Sequence, residues 1–193
     1  MKRQVLLQEF FERSAVVVAR DLVGKFLVRK IRGKEIALMI TETEAYEGEN
    51  DLASHASRGR TARNAPMWDE ARHFYVYLVY GVHEMLNVVT GKHNYPAAVL
   101  VRGVEGCTGP GRVTRALNVT RTLNGKRAVP ESGLWFEDRG VRIAPRRIKR
   151  TPRVGVAYAG DWASKPYRFV LLDEKSNRGG VTASRRSRRS TVQ

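Results

Sequence analysis

Glu35 to Tyr46 reads as a long strand that follows a shorter one, Lys25 to Lys30, across the turn signal Arg32-Gly33-Lys34. Strands joined this closely pair antiparallel, so the chain begins an antiparallel sheet with a hairpin. On strand alternation Ile36, Leu38, Ile40, Glu42, Glu44 and Tyr46 share one face. Three aliphatic residues begin that face, and two carboxylates and a tyrosine end it. A core stripe that turns acidic predicts the rim or floor of a pocket, where desolvation adjusts the basicity of a carboxylate. A strand that leaves the core and becomes solvated accounts for the same spacing.

The other elements are shorter. Ser14 stands as N-cap before Ala15 to Val23, and Gly24 stops that helix. Gly48 to Asp69 has no periodicity and carries Arg58, Arg60 and Arg63, a long basic loop of the kind kept for function. His73 to Val79 is aromatic and β-branched and predicts a strand, which Tyr80-Gly81 turns back into Glu84 to Val89. Ala98 to Val104 predicts another strand, and Gly109-Pro110-Gly111 opens a helix through Leu117. Leu134 to Ile143 and Val154 to Ala157 are shorter strand candidates. Together they predict the α+β class: a single domain with a curved antiparallel β-sheet, flanking short helices and a protruding β-hairpin.

Charge narrows the partners. Lys and Arg number 35 against 19 Asp and Glu, a formal net charge of +16, which favours polyanions and nucleic acid above all. The chain has no clean basic amphipathic helix for an acidic membrane surface. Its longest apolar runs, such as Ala15 to Ala19, are too short to cross a bilayer, and no signal core follows the N-terminus. We therefore expect a soluble intracellular protein, cytoplasmic and nucleoid-associated if bacterial, nuclear if eukaryotic. The lone Cys107 excludes an intramolecular disulfide, and no Cys/His spacing resembles a zinc site. The 193 residues suit one domain, expected over residues 1–173. Residues 174–193 hold six Lys or Arg and one acid without apolar period, and predict a disordered basic tail. The body without it keeps a charge of about +11.

Two carboxylates on one face permit several chemistries. With His55 they could hold a divalent metal, as in a nuclease. They could also form a glycosidase acid/base pair, since same-face strand neighbours lie roughly 6.5–7 Å apart. Phe74 to Asn87 is the second informative stretch, with Tyr75, Tyr77 and Tyr80 crowding one hairpin. Tyr75 fits ordinary sheet packing. Tyr80, beside Gly81 at the tip, suits wedging between base pairs, because an inserted side chain offsets lost stacking.

These residues resemble a known family. Glu42-Thr43-Glu44-Ala45-Tyr46, with His55 nine positions after Tyr46, looks like the active-site signature of the alkyladenine (3-methyladenine) DNA glycosylases. The likeness continues in order through Arg63-Asn64, Tyr75-Val76-Tyr77, Tyr80-Gly81, Met85-Leu86-Asn87 and Val99-Leu100-Val101-Arg102. It extends to Gly109-Pro110-Gly111, Ala116-Leu117, Arg153-Val154-Gly155-Val156, Trp162-Ala163 and Lys165-Pro166.

The resemblance implies a single α+β domain whose hairpin enters the DNA minor groove. It implies that Tyr80 fills the gap left by a flipped nucleotide, and that Tyr46, His55 and Tyr77 sandwich the extruded base. Glu44 would be general base towards a water held with Arg102 and the backbone carbonyl near Val154, attacking the anomeric carbon. Asn87 would reject guanine by crowding its exocyclic amine, and Glu42 would support the structure. Arg58, Arg60, Arg63, Arg112 and Lys165 would contact phosphates. The implied substrates are alkylated or deaminated purines in double-stranded DNA: 3-methyladenine, 7-methylguanine, hypoxanthine and etheno-adenine. A monomeric, monofunctional hydrolase is expected, with no metal, no organic cofactor and no Schiff-base lysine. Two other readings compete: a non-catalytic basic nucleic-acid-binding protein, and a metal-dependent nuclease built on Glu42, Glu44 and His55.

Overall fold

A computed structural model of the chain describes residues 3–172. The predicted basic tail, residues 174–193, lies outside the described residues. In chain order the elements are β1 (Gln4–Val5), α1 (Gln8–Phe11), α2 (Ala15–Leu22), β2 (Phe26–Ile31), β3 (Lys34–Glu47), β4 (Phe74–Val79) and β5 (His83–Val89). They continue with β6 (Ala97–Val104), β7 (Cys107–Thr108), α3 (Pro110–Ala116), β8 (Leu134–Asp138), β9 (Ile148–Thr151) and β10 (Arg168–Leu171). The strands pair antiparallel in the order β1-β8-β2-β3-β6-β5-β4, with β10 on β3, β9 on β10 and β7 on β6. The α+β class and the antiparallel sheet read from the sequence are what the structure has.

The first hairpin forms as its turn residues dictate. Arg32 and Gly33 both hold positive φ, at 49° and 82°, the left-handed pair that a two-residue turn between twisted strands requires. β3 then outlasts β2 and becomes the axis of the sheet, since its second half pairs with β6 on one edge and β10 on the other. Helix α2 starts where Ser14 caps it, its hydroxyl accepting from the Val17 N–H, and lays Ala15, Val18, Ala19 and Leu22 into the main core. The Thr43 hydroxyl donates to the Ala19 carbonyl at 2.7 Å, fixing the helix across β3.

One alternation does not hold. Ile40 and Ala45 both pack in the main core although their parities differ, because the β3–β6 register shifts on either side of Glu42. A β-bulge adds one residue to one strand and reverses which face every later side chain takes. Ile40 therefore faces the core, while Glu44 and Tyr46 face the opposite side of the sheet, rather than all sharing one stripe. Gly103 accommodates this irregularity: a Cβ there would lie 2.9 Å from Glu42 Cβ.

Other boundaries moved for local reasons. The strand expected over Leu134 to Ile143 ends at Asp138, whose carboxylate accepts from the Gly140 N–H at 2.8 Å and turns the chain. Val154 to Ala157 is not a strand, because Gly155 takes φ 77° and a 3-10 turn spans Ala157–Ala163. Strands β9 and β10 have no strong apolar alternation of their own. The loop Gly48 to Asp69 carries two 3-10 turns, His55–Arg58 and Ala65–Trp68. Buried Asn64 ties it together, donating to the His55 and Gly59 carbonyls and accepting from the Thr61 N–H.

Candidate active site

The bulge sets up a row of side chains across five strands. Arg168, Glu44, Leu100, Asn87 and Tyr75 stand opposite one another in β10, β3, β6, β5 and β4. At one strand spacing per step, the Glu44 and Tyr75 backbones lie roughly 14 Å apart. Above that row a pocket of about 280 Å³ opens, at the small end of ligand sites and suited to one planar ring system. Two small clusters form its walls. Tyr46 packs with Ala53 and Val156 on one side, and Tyr77 with Tyr75, Met67 and Ala98 on the other.

Glu44 is fully buried and does not itself line the pocket; it reaches it through Tyr46, Arg102 and Val154, which do. Its Oε1 accepts the Val154 N–H at 2.8 Å and stands 3.5 Å from Arg102 Nε. Its Oε2 accepts the Tyr46 hydroxyl at 2.9 Å. Burial raises the pKa of Glu44 above its usual range, against the charge of Arg102, the Val154 N–H, the Tyr46 hydroxyl and the charge of Arg168. The carboxylate is thereby more basic than a solvated one while remaining hydrogen-bonded in its ionised form. The family resemblance puts a backbone carbonyl near Val154 on the water; the contact seen at Val154 is its N–H, which donates to the carboxylate.

Arg102 is shared. Its Nε donates to Glu42 Oε1 at 3.0 Å, and Arg168 Nε donates to the same oxygen at 2.6 Å. Glu42 thus holds two guanidinium groups beside Glu44 instead of lining the pocket. His55 sits on the far wall, its Nδ1 2.9 Å from the Tyr75 hydroxyl and its ring 4.7 Å from that of Tyr77. Partial burial, then the charges of Arg63 and Arg58, lower its pKa and favour the neutral imidazole. Burial lifts Tyr46 and Tyr77 above the ordinary phenol value, Tyr77 to about 12, so both rings stay neutral at physiological pH. Asn87 is buried and donates Nδ2 to the Tyr75 carbonyl at 3.0 Å, which turns its Oδ1 away from that bond.

Glu42, Glu44 and His55 do not form an ion site: among the described residues no three His, Cys, Asp or Glu are placed to hold a metal.

Tyr80 occupies the hairpin tip with Gly81, at φ 51° and 71°, and 92% of its surface is exposed. A left-handed conformation costs a residue with a Cβ about 1–2 kcal/mol, and such strain collects at functional positions. Of the candidate phosphate ligands, Arg58, Arg60, Arg63 and Arg112 are exposed and Lys165 is half-buried. Arg63 donates to the Leu78 carbonyl at 2.9 Å and lies 5.3 Å over the Tyr77 ring. Arg60 lies 5.9 Å over Trp68, and Lys165 Nζ lies 3.6 Å over Trp162. Each of these three keeps its charge at the surface while its stem or head rests on an aromatic ring.

Sequence reasoning missed Asp51 and gave Arg153 no role. The Arg153 guanidinium is wholly buried and bonds both Asp51 oxygens. It also donates to the Ala45 and Trp162 carbonyls and lies 4.8 Å over the Tyr46 ring. Its position beside Val154 was the one available signal. No helix among the described residues is long and apolar enough to cross a membrane.

Comparison with known proteins gives these features a common frame. The family described as methylpurine-DNA glycosylase matches residues 9–107 and 104–175. Relatives named "Putative 3-methyladenine DNA glycosylase" include one from Methanocella arvoryzae, 44% identical over 86% of this chain and 91% of its own. One from Anaeromyxobacter sp. is 46% identical over 86% and 88%, and one from Myxococcus xanthus 41% over 94% and 97%. With likeness of this depth along nearly the whole described chain, the protein belongs to the methylpurine-DNA glycosylase family, whose members are DNA-repair glycosylases.

Proposed function

We propose that the protein flips a damaged purine out of duplex DNA and hydrolyses its bond to deoxyribose with a water activated by Glu44. The observation that carries this reading is a buried carboxylate of raised basicity, hydrogen-bonded to the lining of an aromatic pocket. In the reaction, the water oxygen attacks the anomeric carbon as the glycosidic bond breaks. The bonding electron pair leaves with the base, and the water proton passes to Glu44. Arg102 stabilises ionised Glu44 and helps to hold the water. The extruded base stacks between Tyr46, His55 and Tyr77, an arrangement worth roughly 1–3 kcal/mol per base that tolerates several ring types. Asn87 at the floor selects against guanine, and Tyr80 fills the vacated stack.

The substrates proposed are 3-methyladenine, 7-methylguanine, hypoxanthine and etheno-adenine, with an abasic site as product and no strand cleavage. Alkylation that leaves the purine positively charged makes it a good leaving group, so those lesions need little acid catalysis. Arg58, Arg60, Arg63, Arg112 and Lys165 supply positive potential towards the phosphates, and residues 174–193 add a non-specific tether. Deleting that tail should flatten the dependence of DNA affinity on salt; equal slopes would remove it from the account. The proposed enzyme acts as a monomer and uses no metal or organic cofactor. Release of free base from hypoxanthine- or 3-methyladenine-containing duplexes in EDTA tests the function. A folded protein that binds DNA and releases none of these bases would be a non-catalytic binder.

A further inference from the structure

Glu44 is the proposed base, and the site contains more order around it than a base and a water require. Each of its oxygens has its own donor, the Val154 N–H for Oε1 and the Tyr46 hydroxyl for Oε2. Both donors lead back to one buried ion pair. Arg153 immediately precedes Val154, lies over the ring of Tyr46, and donates to the carbonyl of Ala45, the residue between Glu44 and Tyr46. Asp51 holds that guanidinium with both oxygens and also accepts the Glu47 and Ala53 N–H groups, which anchors it to β3 and to the start of the pocket wall.

We propose that Tyr46 and the Asp51–Arg153 pair form a positioning network for Glu44. The Tyr46 hydroxyl fixes Oε2 while the ion pair fixes the Tyr46 ring and the backbone on both sides of the carboxylate. Tyr46 is then more than a stacking surface: the wall against which a base would rest and the group that aims the base catalyst are one side chain. Arg153 and Asp51 act through Tyr46 and Val154 rather than on substrate. The buried pair suits such a task because a bidentate guanidinium–carboxylate contact fixes orientation as well as distance. Small misplacements of a catalytic group cost rate steeply, up to about a hundredfold for 1 Å.

This inference rests on the reading of Glu44 as the base. The groups that face Glu44 are Tyr46 on its own strand, Tyr77 from β4, Arg102 from β6, Arg168 from β10 and the Val154 N–H, with the charge of Arg153 behind Tyr46. Glu42 faces Arg102 and Arg168.

The test is Tyr46→Phe, which keeps the ring and removes the hydroxyl, assayed by single-turnover release of hypoxanthine from a duplex with folding checked by circular dichroism. The network predicts that the rate at saturating enzyme falls at least about tenfold while duplex affinity changes less than about threefold. It also predicts that the acid limb of the pH–rate profile moves to higher pH, because the ionised form of Glu44 loses a donor. Asp51→Asn, which keeps the shape, should lower the same rate constant and slow Tyr46→Phe no further. An unchanged rate and acid limb in folded Tyr46→Phe would overturn the network and leave Tyr46 a stacking residue only. Glu44→Gln separates the two levels: inactive Glu44→Gln beside unaffected Tyr46→Phe rejects only the network, whereas active Glu44→Gln rejects the base assignment itself.

Discussion

Ile40 and Ala45 bury their side chains in the same core, although their separation along β3 is odd and a regular strand would send them to opposite faces. The bulge around Glu42 reconciles the two, and it also turns Glu44 to the face of the sheet that carries Tyr46 and Arg168. Without that register shift, Glu44 would follow Ile40 into the main core as an unpaired acid, which is untenable at the desolvation cost of a buried charge. The position of Glu44, the proposed base, is thus a property of backbone irregularity as much as of residue type.

Glu44 should work against the stability of the fold. Its pKa is raised in the folded state, so folding favours the protonated form. The stability associated with that shift is present below the unfolded pKa and is lost as pH rises through the folded one. Glu44→Gln carries no charge, and it should raise the melting temperature relative to the parent at pH 8 by more than at pH 5. Thermal denaturation at both pH values checks this; a variant destabilised equally at both would contradict it.

The same shift has a kinetic consequence of opposite sense. The base must be ionised, so base excision should fall as pH drops through the raised pKa of Glu44. The acid limb should stand above the ordinary carboxylate value of 4.5. A single-turnover pH profile on a hypoxanthine duplex reads it directly.

Tyr80 is exposed and conformationally strained, which lets its proposed wedge role be tested apart from the fold. Tyr80→Gly relieves the left-handed strain at the cost of added chain entropy, so stability should stay within about 1 kcal/mol. Excision from duplex should nonetheless fall at least about tenfold, since extrusion of a base costs a few kcal/mol that the wedge offsets. Loss should be smaller when the lesion sits in single-stranded DNA, where nothing has to be unstacked from a partner strand.

Asp51→Ala should be the most destabilising single change near the site. It leaves the wholly buried Arg153 guanidinium without its carboxylate, and breaking such a pair costs about 3–5 kcal/mol. Denaturant unfolding measures this. Asp51→Ala with stability unchanged would show that the pair holds little of the fold.

What the sequence made legible follows from the range of the interactions involved. The first hairpin, helix α2 and the β4–β5 hairpin depend on local signals: Arg32-Gly33, the Ser14 cap and Tyr80-Gly81. Each appeared where those signals place it. The candidate residues Glu44, Tyr46, Tyr77 and Asn87 were legible through residue type and family resemblance; Tyr46, Tyr77 and Asn87 line one pocket, and Glu44 is hydrogen-bonded to Tyr46 of that lining. The bulge was illegible because it arises where β3 meets β6, more than fifty positions away in the chain. Asp51 and Arg153 escaped for the same reason, being joined across 102 positions. Strand β10 is recruited by β3 and β9 rather than by its own pattern.

Glu44 is proposed to activate the water that releases a damaged purine, and comparing the parent with Glu44→Gln tests that role. Parent protein and Glu44→Gln are incubated with duplexes carrying hypoxanthine or 3-methyladenine, and free base and bound DNA are measured in the same samples. Base release and an abasic site are expected with the parent, and no release with Glu44→Gln at nearly unchanged duplex affinity. Full base release by folded Glu44→Gln would contradict that role.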